Sequence, residues 1–175
     1  MFKTRFSEYA IKEHILKKAI ILIDTRENEN KHITEYFAKK GITYQFEKLS
    51  YGDYGIIIPK NEEYGIYQEL QLDYTIERKG SLEELSGNFT GDRDRIEDEL
   101  KRGCRKMDFV IENGSLDKII KKQYNTQYDK NSFLATLFTF GRRYGIGINF
   151  IDKENAGEAI YKMLYYALRR ELKSE

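Results

Sequence analysis

The chain has 175 residues, 40% hydrophobic and 34% charged, with a formal net charge of +1, so it can bury a sizeable core and is not a broadly basic protein. A nucleic-acid partner would need positive charge gathered in a patch, and the single cysteine, Cys104, excludes an internal disulfide or a zinc-finger cage and suits a reducing compartment. No apolar run approaches the roughly 20 residues of a membrane span, and the N-terminus lacks the apolar centre of a signal peptide, so an intracellular, cytoplasmic protein with no membrane partner is expected.

Residues 1–18 read as either a short helix or an extended arm, and residues 19–175 as a single domain. Ala19 to Ile23 is a continuous apolar run ending in Asp24, the pattern of a buried strand. Asn30 to Lys40 reads as a helix with Ile33 and Phe37 one turn apart, stopped by Gly41. Thr43 to Leu49 alternates polar and apolar, Tyr54 to Ile58 is β-rich, Pro59 to Asn61 makes a turn, and residues 64–78 give one or two strands. Ser81 with Glu84 predicts a capping box opening a helix, and Asp92 to Arg105 a charged, solvated helix. Met107 to Ile111 is a second buried strand ending in Glu112, and Ser115 opens a short helix. Gln123 to Asn131 is polar and unpatterned, which predicts a mobile loop; Ser132 to Phe140 is a helix and Gly145 to Ile151 a strand. Asn155 with Glu158 caps a last helix whose stripe is Ala156, Ala159, Ile160, Met163, Leu164, Ala167 and Leu168. Strands separated by helices imply an α/β fold, a mixed central sheet flanked by helices, with working groups at strand ends.

The chemistry-bearing residues collect at such ends. Glu77 and Lys79 are two apart in Ile76-Glu77-Arg78-Lys79, so on a strand they share a face and Arg78 takes the other. Phosphodiester hydrolysis needs its nonbridging oxygens neutralised, a water activated and the leaving alkoxide stabilised, and Mg²⁺ or Mn²⁺ held by oxygen ligands can do all three. Asp24, Asp53 and Glu77 are the candidate metal ligands, Lys79 the group that orients or deprotonates water, and Arg78 a support for the acids or a phosphate contact. Arg93, Arg95, Lys101 and Arg102, with Arg105 and Lys106, read as either a solvated helix face or a DNA-phosphate surface. Glu112 reads as an exposed strand-end acid, and Asp53 also fits a plain turn residue.

Four pieces occur in order: Asp24-Thr25-Arg26-Glu27, Gly52-Asp53, Glu77-Arg78-Lys79, and Glu83 four residues after Lys79. Together they resemble the nuclease domain of the XPF/Mus81 family, the ERCC4 domain, which carries Asp-x-Arg-Glu, Gly-Asp, Glu-Arg-Lys and then an Asp where this chain has Glu83. Phe109-Val110-Ile111-Glu112 looks like that family's Leu-Leu-Ile-Glu strand. The resemblance spans residues 19–172. It implies a restriction-endonuclease-like fold and divalent-metal-dependent cleavage of DNA at flaps, forks or other branches, in repair, recombination or defence. It implies catalytic roles for Asp24, Asp53, Glu77, Arg78 and Lys79, with Arg26, Glu27 and Glu83 in support. A stand-alone domain without helix-hairpin-helix or helicase modules is expected, as is a homodimer through the final helices. Phe133, Leu134, Leu137, Phe138 and Phe140, with Tyr161, Tyr165 and Tyr166, offer more apolar surface than single helix stripes require. A catalytically silent DNA-binding or scaffold subunit of a nuclease complex is the competing reading, and an α/β domain whose acids are only caps and turns is the third.

Overall fold

The computed structural model describes residues 6–102 and 106–173; Cys104, Arg105 and residues 1–5 of the N-terminal arm lie outside them. In chain order the elements are α1 (Glu8–Ala10), β1 (Ile20–Ile23), α2 (Lys31–Lys40), β2 (Tyr44–Phe46), β3 (Tyr54–Ile58), β4 (Leu70–Gln71), β5 (Thr75–Lys79), α3 (Leu82–Thr90), α4 (Arg93–Arg102), β6 (Met107–Glu112), α5 (Leu116–Ile120), α6 (Lys130–Tyr144), β7 (Ile148–Ile151) and α7 (Ala156–Leu172). The protein is mixed α/β and divides into two compact units. One comprises the chain up to Leu49, Asp53–Thr75 and the chain from Gly157; the other is Ser50–Gly52 with Ile76–Ala156.

In the first unit, β1 is an unbroken apolar run and is buried on both faces. It pairs in parallel with β2 (Ile21 opposite Tyr44) and antiparallel with β3 (Ile21 opposite Ile56), and β4 pairs antiparallel with β3. Helix α2 buries Ile33 and Phe37 and ends at Gly41, whose φ of 65° is the left-handed conformation that favours glycine. The N-terminal segment is helical rather than extended. After α1, capped by Ser7, a π turn (Ile11–Ile15) and a 3₁₀ turn (Leu16–Lys18) bury Ile11, Ile15 and Leu16. Helix α7 buries Ile160, Leu164, Leu168 and Leu172, and its Arg169, with Lys173 just beyond its end, pairs with Glu8 of α1. A 3₁₀ turn, Lys153–Asn155, leads into α7.

In the second unit β5, β6 and β7 are neighbours in that order, with β6 and β7 parallel (Phe109 opposite Ile148). Met107, Phe109 and Ile111 alternate onto one face of β6 and join Leu82, Leu85, Phe89, Phe133, Leu137 and Phe140 in one core. Phe89 meets Phe133 and Phe140 edge-on, at centroid separations of 5.8 and 5.4 Å. Three of the five apolar α6 residues singled out for a dimer face are therefore core. Phe138, 56% exposed, is the one that faces outward, with Leu134 partly covered. Helix α6 starts two residues earlier than its apolar pattern predicts, because Asp129 caps it by accepting from the N–H groups of Asn131 and Ser132. The polar stretch before it is a tied turn. Tyr124 is buried and donates to the Tyr128 carbonyl, and Lys122 Nζ donates to the carbonyls of Thr126 and Tyr128.

Gly157 sets the approach of α7 to α2: a Cβ there would lie 2.8 Å from Tyr36 Cβ. Gly157→Ala is expected to destabilise the protein by about 1–3 kcal/mol, the cost of overpacking a close contact. An unchanged urea midpoint for this variant would show that the two helices do not meet there.

Candidate active site

Strand β5 carries Glu77, Arg78 and Lys79, three charged residues in succession, and all three are buried. Charges that deep persist only when paired. Lys79 Nζ donates to Glu77 Oε1 at 2.7 Å. On the opposite face Arg78 forks onto Glu112 of β6, with Nε–Oε1 at 2.7 Å and Nη2–Oε2 at 2.8 Å. Glu112 is fully buried, so the expectation of an exposed strand-end acid is wrong. It closes four consecutive buried residues, Phe109 to Glu112, and its partner is the guanidinium that strand alternation turns toward it.

The second oxygen of Glu77, Oε2, is buried without a hydrogen-bond partner. Burial, outweighing the pull of Lys79 and reinforced by Glu99 and Glu84, pushes its carboxyl up to about 7. Helix α3 supplies the surroundings. Ser81 caps it by accepting from the Glu84 N–H at 3.2 Å. The capping box closes one residue early: Glu84 accepts from Gly80 N–H at 2.8 Å and lies 3.7 Å from Lys79 Nζ. Glu83 turns elsewhere and accepts the Asn125 N–H at 2.9 Å, which holds its carboxyl below the ordinary value. Lys79 thus has Glu84 beside it, and Glu83 anchors the turn that precedes α6.

In the first unit Asp24, at the end of β1, is 1% exposed. Arg26 donates to Oδ1 from its backbone N–H and Nε (2.8 and 2.7 Å) and to Oδ2 from Nη2 (2.9 Å), and the Leu49 N–H donates to Oδ2 (2.7 Å). Burial raises its pKa, but these donors outweigh it and leave the carboxyl below its ordinary value. Four donors fill a carboxylate's acceptor sites, so Asp24 as arranged is an anchor for the turn after β1. The N–H of Glu27 donates to the Asp24 carbonyl within that turn, and Asp24 N–H donates to the carbonyl of Asp53 at 2.7 Å. Asp53 is half-buried and follows Gly52, whose φ is 70°. Among the described residues no three His, Cys, Asp or Glu side chains are gathered as a ready-made metal cage.

The basic residues of α4 carry partners of their own. Arg93 pairs with Glu97 (3.0 Å), Arg95 with Asp92 (3.4 Å) and Lys101 with Asp98 (2.8 Å), all at the surface, and Arg102 Nε donates to the Ser50 carbonyl. Arg105 lies outside the described residues.

The ERCC4 domain profile matches residues 23–163. The chain belongs to the ERCC4 domain family. The crossover junction endonuclease mus-81 of Neurospora crassa is 33% identical over 122 residues, covering 62% of this chain and 19% of that protein. The chain thus spans about a fifth of that relative's length. XPF from Aeropyrum pernix superposes with a TM-score of 0.59 at 18% identity, over 85% of this chain and 61% of that one. The same protein in complex with DNA gives 0.59 at 16% identity, over 86% and 65%. The ERCC4 fold is shared with these structures.

The sequence placed Glu112 at an exposed strand end and Glu84 in a helix cap, and did not single out Glu99. The signal for Glu112 was present: an acid ending a wholly apolar strand needs a cation, and Arg78 faces away from its neighbours. The place of Glu84 beside Lys79 and of Glu99 near Glu77 left no such trace, because a helix's first turn is commonly acidic and α4 is charged throughout. Arg78→Met should destabilise the protein by about 3–5 kcal/mol in urea denaturation, because it strands the buried Glu112 carboxylate. The double variant Arg78→Met/Glu112→Leu should recover most of that loss. A double variant as weak as the single one would mean the pair is not the source of the cost.

Proposed function

We propose that this ERCC4 domain is a divalent-metal-dependent DNA endonuclease acting on flapped, forked or otherwise branched DNA. The observation that carries the reading is Glu77: a buried carboxylate with one oxygen on Lys79 and the other without a partner. A cation is the species that would satisfy such an oxygen. Mg²⁺ is ordinarily taken by one or two carboxylates together with substrate phosphates and waters, so a full protein cage is not required. Glu77 would hold it. When bound, the metal neutralises the phosphate's nonbridging oxygens and lowers the pKa of a coordinated water.

The chain's own groups do the rest. Lys79 steadies the ionised form of Glu77 and places a cation beside it for the attacking water or the phosphate. Glu84 adds a carboxylate 3.7 Å from Lys79 Nζ, and the Arg78–Glu112 fork stiffens the strand between Glu77 and Lys79. Arg93, Arg95 and Lys101 fit DNA phosphates. Their exposed ion pairs are worth little and exchange readily for a polyanion. A homodimer through the C-terminal helices would cover outward-facing aromatic residues such as Phe138, which is 56% exposed. Phe138→Glu should then lower the mass found by sedimentation equilibrium.

With Mg²⁺ or Mn²⁺ and a panel of single-stranded, duplex, flap and fork DNAs, the wild type is expected to cut branched forms. Glu77→Ala should lose roughly a hundredfold or more in rate. If Glu77→Ala cuts at the wild-type rate, the site lies elsewhere. A wild type that binds these DNAs and never cuts would favour a silent scaffold subunit. A carboxyl raised to about 7 must lose its proton before it can ligate, so Mn²⁺ affinity should hold above pH 7 and fall as the pH drops below it. Equal affinity at pH 5.5 and 8 would remove Glu77 from the ligand set.

A further inference from the structure

Helix α3 opens with two adjacent acids, and the fold sends them to different places. Glu83 turns to the segment that precedes α6, where it accepts the Asn125 N–H at 2.9 Å. The same segment is tied again one turn along α3, where Ser86 Oγ and Thr126 Oγ1 share a hydrogen bond at 3.0 Å. Ser86 is buried, so this seam belongs to the packing. Glu84 turns back to β5. Its Oε2 accepts the Gly80 N–H at 2.8 Å, and its Oε1 lies 3.7 Å from Lys79 Nζ. Helical phase separates the two: neighbours on a helix point about 100° apart, so only one of them can face the strand. All of these residues lie in the second unit.

The Lys79 ammonium therefore stands between two carboxylates, with Glu77 Oε1 at 2.7 Å and Glu84 Oε1 at 3.7 Å. The two acids differ in kind. Glu77 is buried and its Oε2 has no partner, whereas the Glu84 side chain is 47% exposed. An ammonium held by Glu77 alone would set its whole charge against that carboxylate and oppose a second cation there. Shared with Glu84, it leaves Glu77 more of its own negative charge. We propose that Glu84, rather than Glu83, is the acid of α3 that acts on the site, as a positioning residue that shares the Lys79 ammonium with Glu77 and keeps Glu77 receptive to a cation. This rests on the metal-dependent reading above. The family pattern places its trailing acid at position 83, and in this chain the contact with Lys79 comes from the next residue along, while Glu83 anchors the turn before α6. Partners that orient a metal ligand commonly matter roughly tenfold to a hundredfold in affinity.

The test uses the full chain without DNA and has two readouts. One is Mn²⁺ binding followed by electron paramagnetic resonance. The other, with no metal present, is the rate at which an acylating reagent labels the Lys79 amine, read by peptide mass spectrometry. Glu84→Gln keeps an oxygen for the Gly80 N–H and loses the pull on Lys79. It should hold the wild-type urea midpoint, because a half-exposed ion pair adds little stability. It should bind Mn²⁺ roughly tenfold more weakly and leave Lys79 faster to label. Glu83→Gln keeps its acceptor for the Asn125 N–H and should match the wild type in both readouts. Glu84→Gln within about twofold of wild type in Mn²⁺ affinity would overturn the proposal, and so would a Lys79 amine labelled no faster than in the wild type. Glu83→Gln as weak as Glu84→Gln would overturn it as well, since any nearby acid would then serve. A lowered urea midpoint with unchanged Mn²⁺ affinity would leave Glu84 as a helix cap alone. Glu77→Ala separates the two readings. If Glu77→Ala loses Mn²⁺ while Glu84→Gln keeps it, only the role of Glu84 fails. If the wild type binds no Mn²⁺ and Glu84→Gln still speeds labelling of Lys79, the metal reading fails and the sharing of Lys79 stands.

Discussion

Four ionisable side chains lie buried on two neighbouring strands, Glu77, Arg78 and Lys79 on β5 and Glu112 on β6, and the second unit is organised around keeping them paired. A lone buried charge would cost a large share of a small domain's stability. Alternation divides the four between the two faces of the strands. One face carries a forked Arg–carboxylate pair in which both Glu112 oxygens accept from Arg78, which rigidifies without leaving reactivity. The other carries the Lys79–Glu77 contact, with Glu84 beside the same ammonium and one Glu77 oxygen to spare. The inert pair and the reactive pair are one strand read from its two sides.

The helices that follow β5 serve the same end. Gly80 lets Glu84 reach back to the strand: a Cβ there would stand 3.3 Å from Glu84 Oε2 and 3.2 Å from Arg78 Nη2. The carboxylate that caps α3 is thereby also the one beside Lys79, while Glu83 ties the turn before α6 to the same helix end. In α4 the ten residues from Arg93 to Arg102 include four cations and four acids, so the helix is neutral and its charges serve mostly one another. What looks in the sequence like a basic run is, along its solvent side, a set of short-range ion pairs.

In the first unit the same economy appears at Asp24. A buried carboxylate receiving four donors, two of them backbone N–H groups, is a knot joining the end of β1 to Arg26 and Leu49. Such an acid stays ionised deep in the fold, because the hydrogen bonds to its charged form outweigh burial. Its spacing to Arg26 serves this purpose directly, since the side chain two residues on curls back onto it.

Much of the architecture was legible in the sequence because period and punctuation are local. The apolar runs of β1 and β6, the stripe of α7, the Ser81 and Ser115 caps and the Gly41 stop all depend on neighbours within a few residues. The shared face of Glu77 and Lys79 followed from strand alternation alone, and the ERCC4 family from four motifs in order. Only the tertiary structure decided which acid each cation meets. Arg78 takes Glu112 from 34 residues away, Gly52 takes Glu99 from 47, and Asp24 takes the Leu49 N–H from 25. The same holds for the apolar excess on α6, most of which is core once Phe89 is packed against it. The physical reason is common to all of them. Whether a charge or a ring is solvated, paired or buried depends on what the folded chain brings to it, and spacing along the sequence carries no record of that.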